Sequence, residues 1–216
     1  ITYPDIKWII EGDPEQTRPV GQENVNWLET KCFYDICNGT LIKLNKNKRN
    51  NECVNYNKIF KNEKLPEFNY EVRQPQNINI CRTNETRCNI NELKMNKTGY
   101  YIEYNSEKHH DKGQNVYLTL DTPIMCIVNN KKTKTYNGKM YPINSIKENK
   151  IVINDIEYTD ETFMKNFVVA YCVTNHKVQG ITIKEPYNIY DWNKMTIREK
   201  YTAYSRCGEG SLVRII

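Results

Sequence analysis

The residues best placed to do chemistry lie in one stretch, Val169-Ala-Tyr-Cys-Val-Thr-Asn-His-Lys-Val-Gln-Gly-Ile-Thr-Ile183. Its polar half, Thr174, Asn175, His176, Lys177 and Gln179, offers donors of the kind that hold phosphate oxygens. Gly180 lets backbone approach a ligand with no Cβ in the way. A second such group is Arg82-Thr83-Asn84, just ahead of a helical pattern, where the amides of a helix N-terminus suit a nucleic-acid phosphate. Asn129 to Tyr136 is basic with an aromatic residue; that composition follows a single-stranded backbone or blunts an exposed β edge. His109-His110-Asp111 has ligand-type side chains but no further ligand at suitable spacing, so no metal site is expected. For a polar loop alone, a solvated turn after a core strand is the ordinary alternative, and the rest of the chain has to decide.

These loops need elements to carry them. Phe167 to Val173 is continuously apolar and rich in β-branched residues, the pattern of a strand covered on both faces in a parallel sheet, whose carboxyl end is where ligand loops sit. Ile6 to Glu11 reads as a strand running into Gly12-Asp13-Pro, another strand-end loop. Asn24 is placed to cap a helix through Val25, Leu28, Cys32, Phe33, Ile36 and Cys37, stopped at Gly39. Leu41 to Leu44 reads as a short strand before the basic cluster Lys46, Lys48 and Arg49. A short helix is expected around Tyr56, Ile59 and Phe60. Ile78 to Cys81 is a strand, followed by a helix through Ile90 and Leu93 capped by Thr83 or Asn84. From Gly99 the pattern changes to short β runs at 100–104, 116–120, 123–128, 139–146 and 150–153, with turns at Asn137-Gly138 and Glu148-Asn149. Ile197 to Arg206 is helical by periodicity, and Leu212 to Ile216 is a final strand.

A chain of 216 residues can bury one large core or one with a smaller insert, and its 38% hydrophobic content suits a soluble globular protein. The net charge of +5 is compatible with a polyanionic partner without requiring one. No apolar stretch spans a membrane and the start, Ile-Thr-Tyr-Pro-Asp, has no signal-peptide pattern, so no membrane partner is expected; the absence of an initial Met suggests a fragment or processed chain. The eight cysteines form no C-x-x-C pair and read as reduced thiols in an intracellular, reducing compartment. The sequons at Asn38, Asn84 and Asn96 raise the competing reading of a secreted disulfide protein, though such triplets arise by chance in an Asn-rich chain. Abundant Asn, Lys, Ile and Tyr point to an AT-rich coding genome, viral origin included.

Taken together, several motifs resemble those of superfamily 1 helicases of the RecD and Pif-type branch. Gly12, Asp13, Gln16, Pro19 and Val20 match the Gly-Asp-x-x-Gln-x-x-Pro-Val form of motif III. Leu44 to Arg49 fits motif IV. Val173-Thr-Asn-His-Lys-Val-Gln-Gly-Ile-Thr182 matches motif V, T-x-H-K-x-Q-G-x-T. Tyr201, Ala203, Ser205 and Arg206 match motif VI, Y-V-A-L-S-R, with Thr202 and Tyr204 departing from it. Pro123, Met125, Asn129, Asn137 and Gly138 match a further family stretch, in which Met140 replaces a glycine.

The resemblance implies an α/β fold: the second RecA-like, P-loop-NTPase-type motor domain, with a small inserted β-barrel-like module. Residues 1–21 would end the first motor domain, 22–98 and 161–216 would form the second, and 99–160 the insert. It further implies that Gln16 senses the terminal phosphate of ATP, since an amide both donates to a phosphate oxygen and accepts from the attacking water. Arg49 would reach the γ-phosphate and Arg206 would be the arginine finger. Gly12, Asp13, Gln179 and Gly180 would border the nucleotide; Arg82, Thr83, Asn84, Thr174, His176 and Lys177 would face nucleic acid. The implied partners are ATP with Mg2+, single-stranded DNA or RNA, and an N-terminal RecA-like domain of the same protein. The chain has no G-x-x-x-x-G-K-[ST] loop and no strand-ending Asp-Glu pair, so it should not hydrolyse ATP alone. A non-catalytic nucleic-acid-binding module that kept the helicase fold is the alternative.

Overall fold

The computed structural model describes residues 9–19, 21–44, 53–65, 77–109, 113–147 and 149–216. In chain order the helices are α1 (Lys31–Cys37), α2 (Cys53–Phe60), α3 (Asn84–Lys94), α4 (Asp160–Asn166) and α5 (Ile197–Tyr204). The strands are β1 (Ile78–Cys81), β2 (Tyr100–Ile102), β3 (Val116–Leu118), β4 (Ile124–Cys126), β5 (Met140–Tyr141), β6 (Ser145–Lys147), β7 (Lys150–Ile153), β8 (Ile156–Thr159), β9 (Phe167–Val169), β10 (Cys172–Thr174), β11 (Tyr187–Ile189) and β12 (Val213–Ile215).

A parallel sheet in the order β10-β1-β11-β12 forms the centre of the α/β part. β1 and β10 are short runs buried but for one end residue and β11 is buried throughout, Asn79 and Asn188 included, as a covered parallel sheet requires, while the edge strand β12 is buried only at Val213. Because side chains alternate across the pleat, Ile80 and Val173 pack with Ile59 of α2 and Ala203 and Tyr204 of α5, whereas Cys81 and Cys172 meet Ile90 of α3. The mixed α/β fold with a parallel sheet is the one expected.

Residues 100–169 build a second apolar core from small antiparallel sheets, β2-β3, β5-β4-β9 and β6-β7-β8, around Leu118, Ile124, Ile151, Ile153, Phe163 and Phe167. The strand expected at Phe167 to Val173 is in fact two. β9 runs antiparallel to β4 in the inserted module, and β10 runs parallel to β1 in the central sheet. Two buried asparagines satisfy the backbone at the break. Asn91 of α3 takes the Cys172 amide on Oδ1 (2.8 Å) and gives Nδ2 to the Val169 carbonyl (3.1 Å), while Asn79 Nδ2 donates to the Tyr171 carbonyl (2.8 Å). The apolar run is thus buried throughout but shared between two cores.

Other expectations shift locally. The first helix starts at Lys31, and its cap is Thr30, six residues after Asn24; the Thr30 hydroxyl accepts from the Phe33 amide, and Asn38 and Gly39 end the helix in the left-handed region. Ile9 to Glu11 and Leu41 to Leu44 have no regular structure, and Leu44 is 89% exposed, since neither segment has a described strand to pair with. β7 and β8 are joined by Asn154-Asp155, both at positive φ, the type I′ geometry of a two-residue hairpin. No helix among the described residues is long and apolar enough to cross a membrane.

Candidate functional site

The parallel sheet sends β1 and β10 to a common carboxyl edge, where Cys81 is in register with Thr174 and the Asn175 amide donates to the Cys81 carbonyl (2.8 Å). The expected nucleic-acid residues Arg82, Thr83 and Asn84 therefore stand beside Thr174, His176 and Lys177. Thr83 caps α3, its hydroxyl accepting from the Thr86 amide at 3.1 Å. The anion at this helix start is supplied by the chain itself. Asp191, after β11, accepts the Arg82 and Thr83 amides on one oxygen (3.2 Å each) and the Thr86 hydroxyl on the other (3.0 Å). Arg82 Nε lies 3.2 Å from Glu199, and Asn84 Oδ1 accepts from Arg87 Nε. A phosphate at these amides would have to displace Asp191, a residue that sequence reasoning missed because it lies 108 positions beyond Thr83.

The loop after β10 turns its side chains in three directions. His176 and Lys177 are exposed. Lys177 Nζ reaches Asn137 Oδ1 of the inserted module at 3.0 Å, whereas His176 stands near Glu23, whose carboxyl is held below its usual range chiefly by backbone amides, with His176 adding to the effect. Asn175 and Gln179 instead face the Gly12–Thr17 segment. Gln179 Nε2 donates to the Thr17 carbonyl at 2.6 Å and Asn175 Nδ2 donates to the Thr17 hydroxyl at 3.2 Å. Gly180 adopts φ +82, a conformation that favours glycine.

The same segment docks on α5, which a capping box of Thr196 and Glu199 starts. Tyr201 donates its hydroxyl to Asp13 Oδ2 (2.9 Å), and Gln16 Nε2 donates to that oxygen at 3.3 Å. Arg198 donates to the Pro14 carbonyl and lies 3.5 Å from Glu15. Burial, helped by Asp13, pushes the Tyr201 phenol up. Thr202 Oγ1 accepts both the amide and the hydroxyl of Thr17, at 2.8 and 3.0 Å.

Arg206 follows directly from this helix end but is turned inward. It is 1% exposed, with Nε donating to the Thr202 carbonyl (2.9 Å) and Nη2 to the Ser205 hydroxyl (2.8 Å). Gln16, Asp13, Gln179 and Arg206 are thus gathered around Thr17 and Thr202. An added Cβ at Gly12 would meet nothing within 4 Å, so backbone conformation does not explain that glycine. Arg49 lies outside the described residues. Thr17, Thr202 and Arg198 were not singled out from sequence for a site, because their partners are distant along the chain.

The cluster's amide and guanidinium groups are of a kind that fits phosphate oxygens, but Gln16 donates to Asp13, Gln179 to the Thr17 carbonyl and Arg206 to Thr202 and Ser205, so a phosphate here would have to take the place of those partners. Among the described residues, no three His, Cys, Asp or Glu side chains are grouped to hold a metal ion.

No protein-family profile matches the chain and no curated protein sequence matches it. Solved structures do. Bacteroides Pif1 bound to ssDNA superposes with a TM-score of 0.61 at 16% identity, over 81% of this chain and 51% of that one. Pif1 helicase from Bacteroides in complex with ADP-AlF3 and ssDNA gives 0.64 at 18% identity, over 94% and 60%. Pif1 helicase from Candida albicans gives 0.57 at 15% identity, over 95% and 62%. The chain therefore spans between about half and three-fifths of these proteins, and at such identities the likeness is one of fold: an α/β motor-domain fold of the Pif1 helicase type.

Proposed function

We propose that the chain is the C-terminal motor half of an ATP-dependent helicase that translocates on single-stranded DNA. The observation that carries this is the convergence of three segments far apart in sequence, Asp13 to Thr17, Asn175 to Gln179 and Arg198 to Arg206, at one place on a Pif1-type fold. In this reading Gln16, Arg49 and Arg206 serve the nucleotide from this half, Gly12, Asp13, Gln179 and Gly180 border it, and the carboxyl edge with Thr174, His176, Lys177 and Arg82 to Asn84 faces the strand. ATP supplies the phosphoryl chemistry and Mg2+ offsets its charge. The donors here suit the terminal phosphate, and the cation belongs to a preceding RecA-like domain carrying a phosphate-binding loop. Translocation follows from opening and closing the cleft between the halves, with Gln16 reporting nucleotide state.

The buried position of Arg206 favours a second reading, a nucleic-acid-binding module that kept the helicase fold without the motor. ATP hydrolysis separates the two. The 216-residue chain alone should bind an oligo(dT) strand with no nucleic-acid-stimulated ATPase, and robust turnover by it would refute the division into halves. In the complete protein Arg206→Ala should abolish ATPase, a loss of about 10³-fold or more, with DNA affinity largely retained. Persistent turnover would mean that Arg206 is not the arginine finger.

A further inference from the structure

Thr17 has all three of its polar groups, amide, hydroxyl and carbonyl, held within the site. Its amide and hydroxyl both go to Thr202 Oγ1 (2.8 and 3.0 Å), its hydroxyl accepts from Asn175 Nδ2 (3.2 Å), and its carbonyl accepts from Gln179 Nε2 (2.6 Å). The bonds have a consistent direction: amide of Asn175 to hydroxyl of Thr17 to hydroxyl of Thr202. Asn175 and Thr202 are fully buried. The second Asn175 donor goes to the Glu199 carbonyl of α5 at 3.0 Å, so this side chain bridges the loop after β10 and the helix. Thr202 in turn carries Arg206, because its main-chain carbonyl accepts Arg206 Nε at 2.9 Å and Ser205 Oγ at 3.2 Å. One residue holds the Gly12–Thr17 segment with its side chain and the guanidinium with its backbone.

The helicase pattern does not call for these three residues. Thr17 and Asn175 fall at positions it leaves open, and Thr202 stands where it has valine. Valine has the shape of threonine without the hydroxyl. It would leave the Thr17 amide and hydroxyl with no acceptor in a half-buried place, a loss that a neutral packing position would not incur.

We propose that Thr202 is a positioning residue, and that Thr17, Asn175 and Thr202 form a clasp setting Gln16 and Arg206 in fixed relation across the site. The clasp couples the segment next to the nucleotide sensor to the helix end that carries the arginine. This rests on the reading of Gln16 and Arg206 as serving one nucleotide, but the contact itself is testable without it.

Hydrogen exchange on the 216-residue chain addresses the contact. In Thr202→Val the Thr17 amide should exchange roughly tenfold faster, the equivalent of one lost hydrogen bond. The amides of α5 should keep their protection, and Thr202→Ser should restore the slow rate. Unchanged exchange at Thr17 in the valine variant, or a serine variant as fast as the valine one, overturns the clasp. Its role is tested in the complete enzyme. Thr202→Val should lower kcat for nucleic-acid-stimulated ATP hydrolysis roughly tenfold with KM for ATP within about twofold, since no clasp residue is assigned a nucleotide contact, and serine should recover it. Thr17→Val, at the less buried end, should lower kcat similarly, with the double variant no worse than either single one. A KM change at constant kcat, or additive losses, overturns the positioning role. An enzyme without any ATPase would sink the helicase reading and leave the exchange result to decide the clasp.

Discussion

At the scale of single residues, the structure distinguishes side chains that belong to a site from those that hold it in place, a distinction that residue type does not make. Asn175, His176 and Lys177 are consecutive polar residues in one loop, yet Asn175 is fully buried against Thr17 and α5 while its two neighbours are exposed. Thr202 looks like an ordinary helix residue until its partner 185 positions away is known. Tyr100 shows the same principle in the inserted module. Its hydroxyl donates to Asp160 at 2.9 Å and reaches Asn149 at 3.1 Å, and burial together with that carboxylate raises the phenol from 10.0 to about 12. The folded state thus favours the protonated form. The stabilisation is full below pH 10.0 and is lost as pH rises through about 12. Denaturation by urea should show a stability gap between wild type and Tyr100→Phe that is constant at neutral pH and narrows across this window; a gap that widens with pH would contradict the assignment.

At the scale of elements, burial decided more than propensity. The run from Phe167 to Val173 carries a strand pattern throughout, but its two ends pair with different sheets, and Asn91 and Asn79 supply the hydrogen bonds that the kink removes. Apolar residues alone do not reveal such a break, because both halves are equally buried. A buried asparagine in the middle of a helix is the available signal. Replacing Asn91 by Leu should cost about 3 kcal/mol, because the Cys172 amide and Val169 carbonyl would both be left unsatisfied. A urea unfolding midpoint within error of wild type would show that the break does not depend on that side chain. The first helix illustrates the reverse case. Its apolar residues are spaced for burial, yet none of them is buried here, so local capping by Thr30 and the left-handed Asn38 set its bounds.

At the scale of the whole molecule, a parallel sheet brings the loops after β1, β10 and β11 to one edge, and a net charge of +5 gives the chain a weak general attraction for polyanions. That edge is mixed in sign, since Asp191 and Glu199 stand beside Arg82 and Thr83. Exposed cations such as Lys177 must then provide much of any phosphate contact. For oligo(dT) binding, Lys177→Glu should weaken affinity and reduce the slope of log affinity against log salt by about 1; an unchanged slope would remove Lys177 from the strand path. By itself the sequence determined the α/β class, β1 and β12 of the central sheet, and the α3 and α5 helices, because periodicity is a local property; it placed no strand at β11, where the polar Asn188 interrupts a three-residue run, and it read β9 and β10 as one. Tertiary structure alone decided that Asp191 occupies the α3 start, that Gln179 and Asn175 turn to Thr17 while Lys177 turns to Asn137, and that Thr202 joins Thr17 to Arg206. Those facts depend on contacts between residues scores of positions apart, whose energies become available only when the sheet has brought its strand ends together.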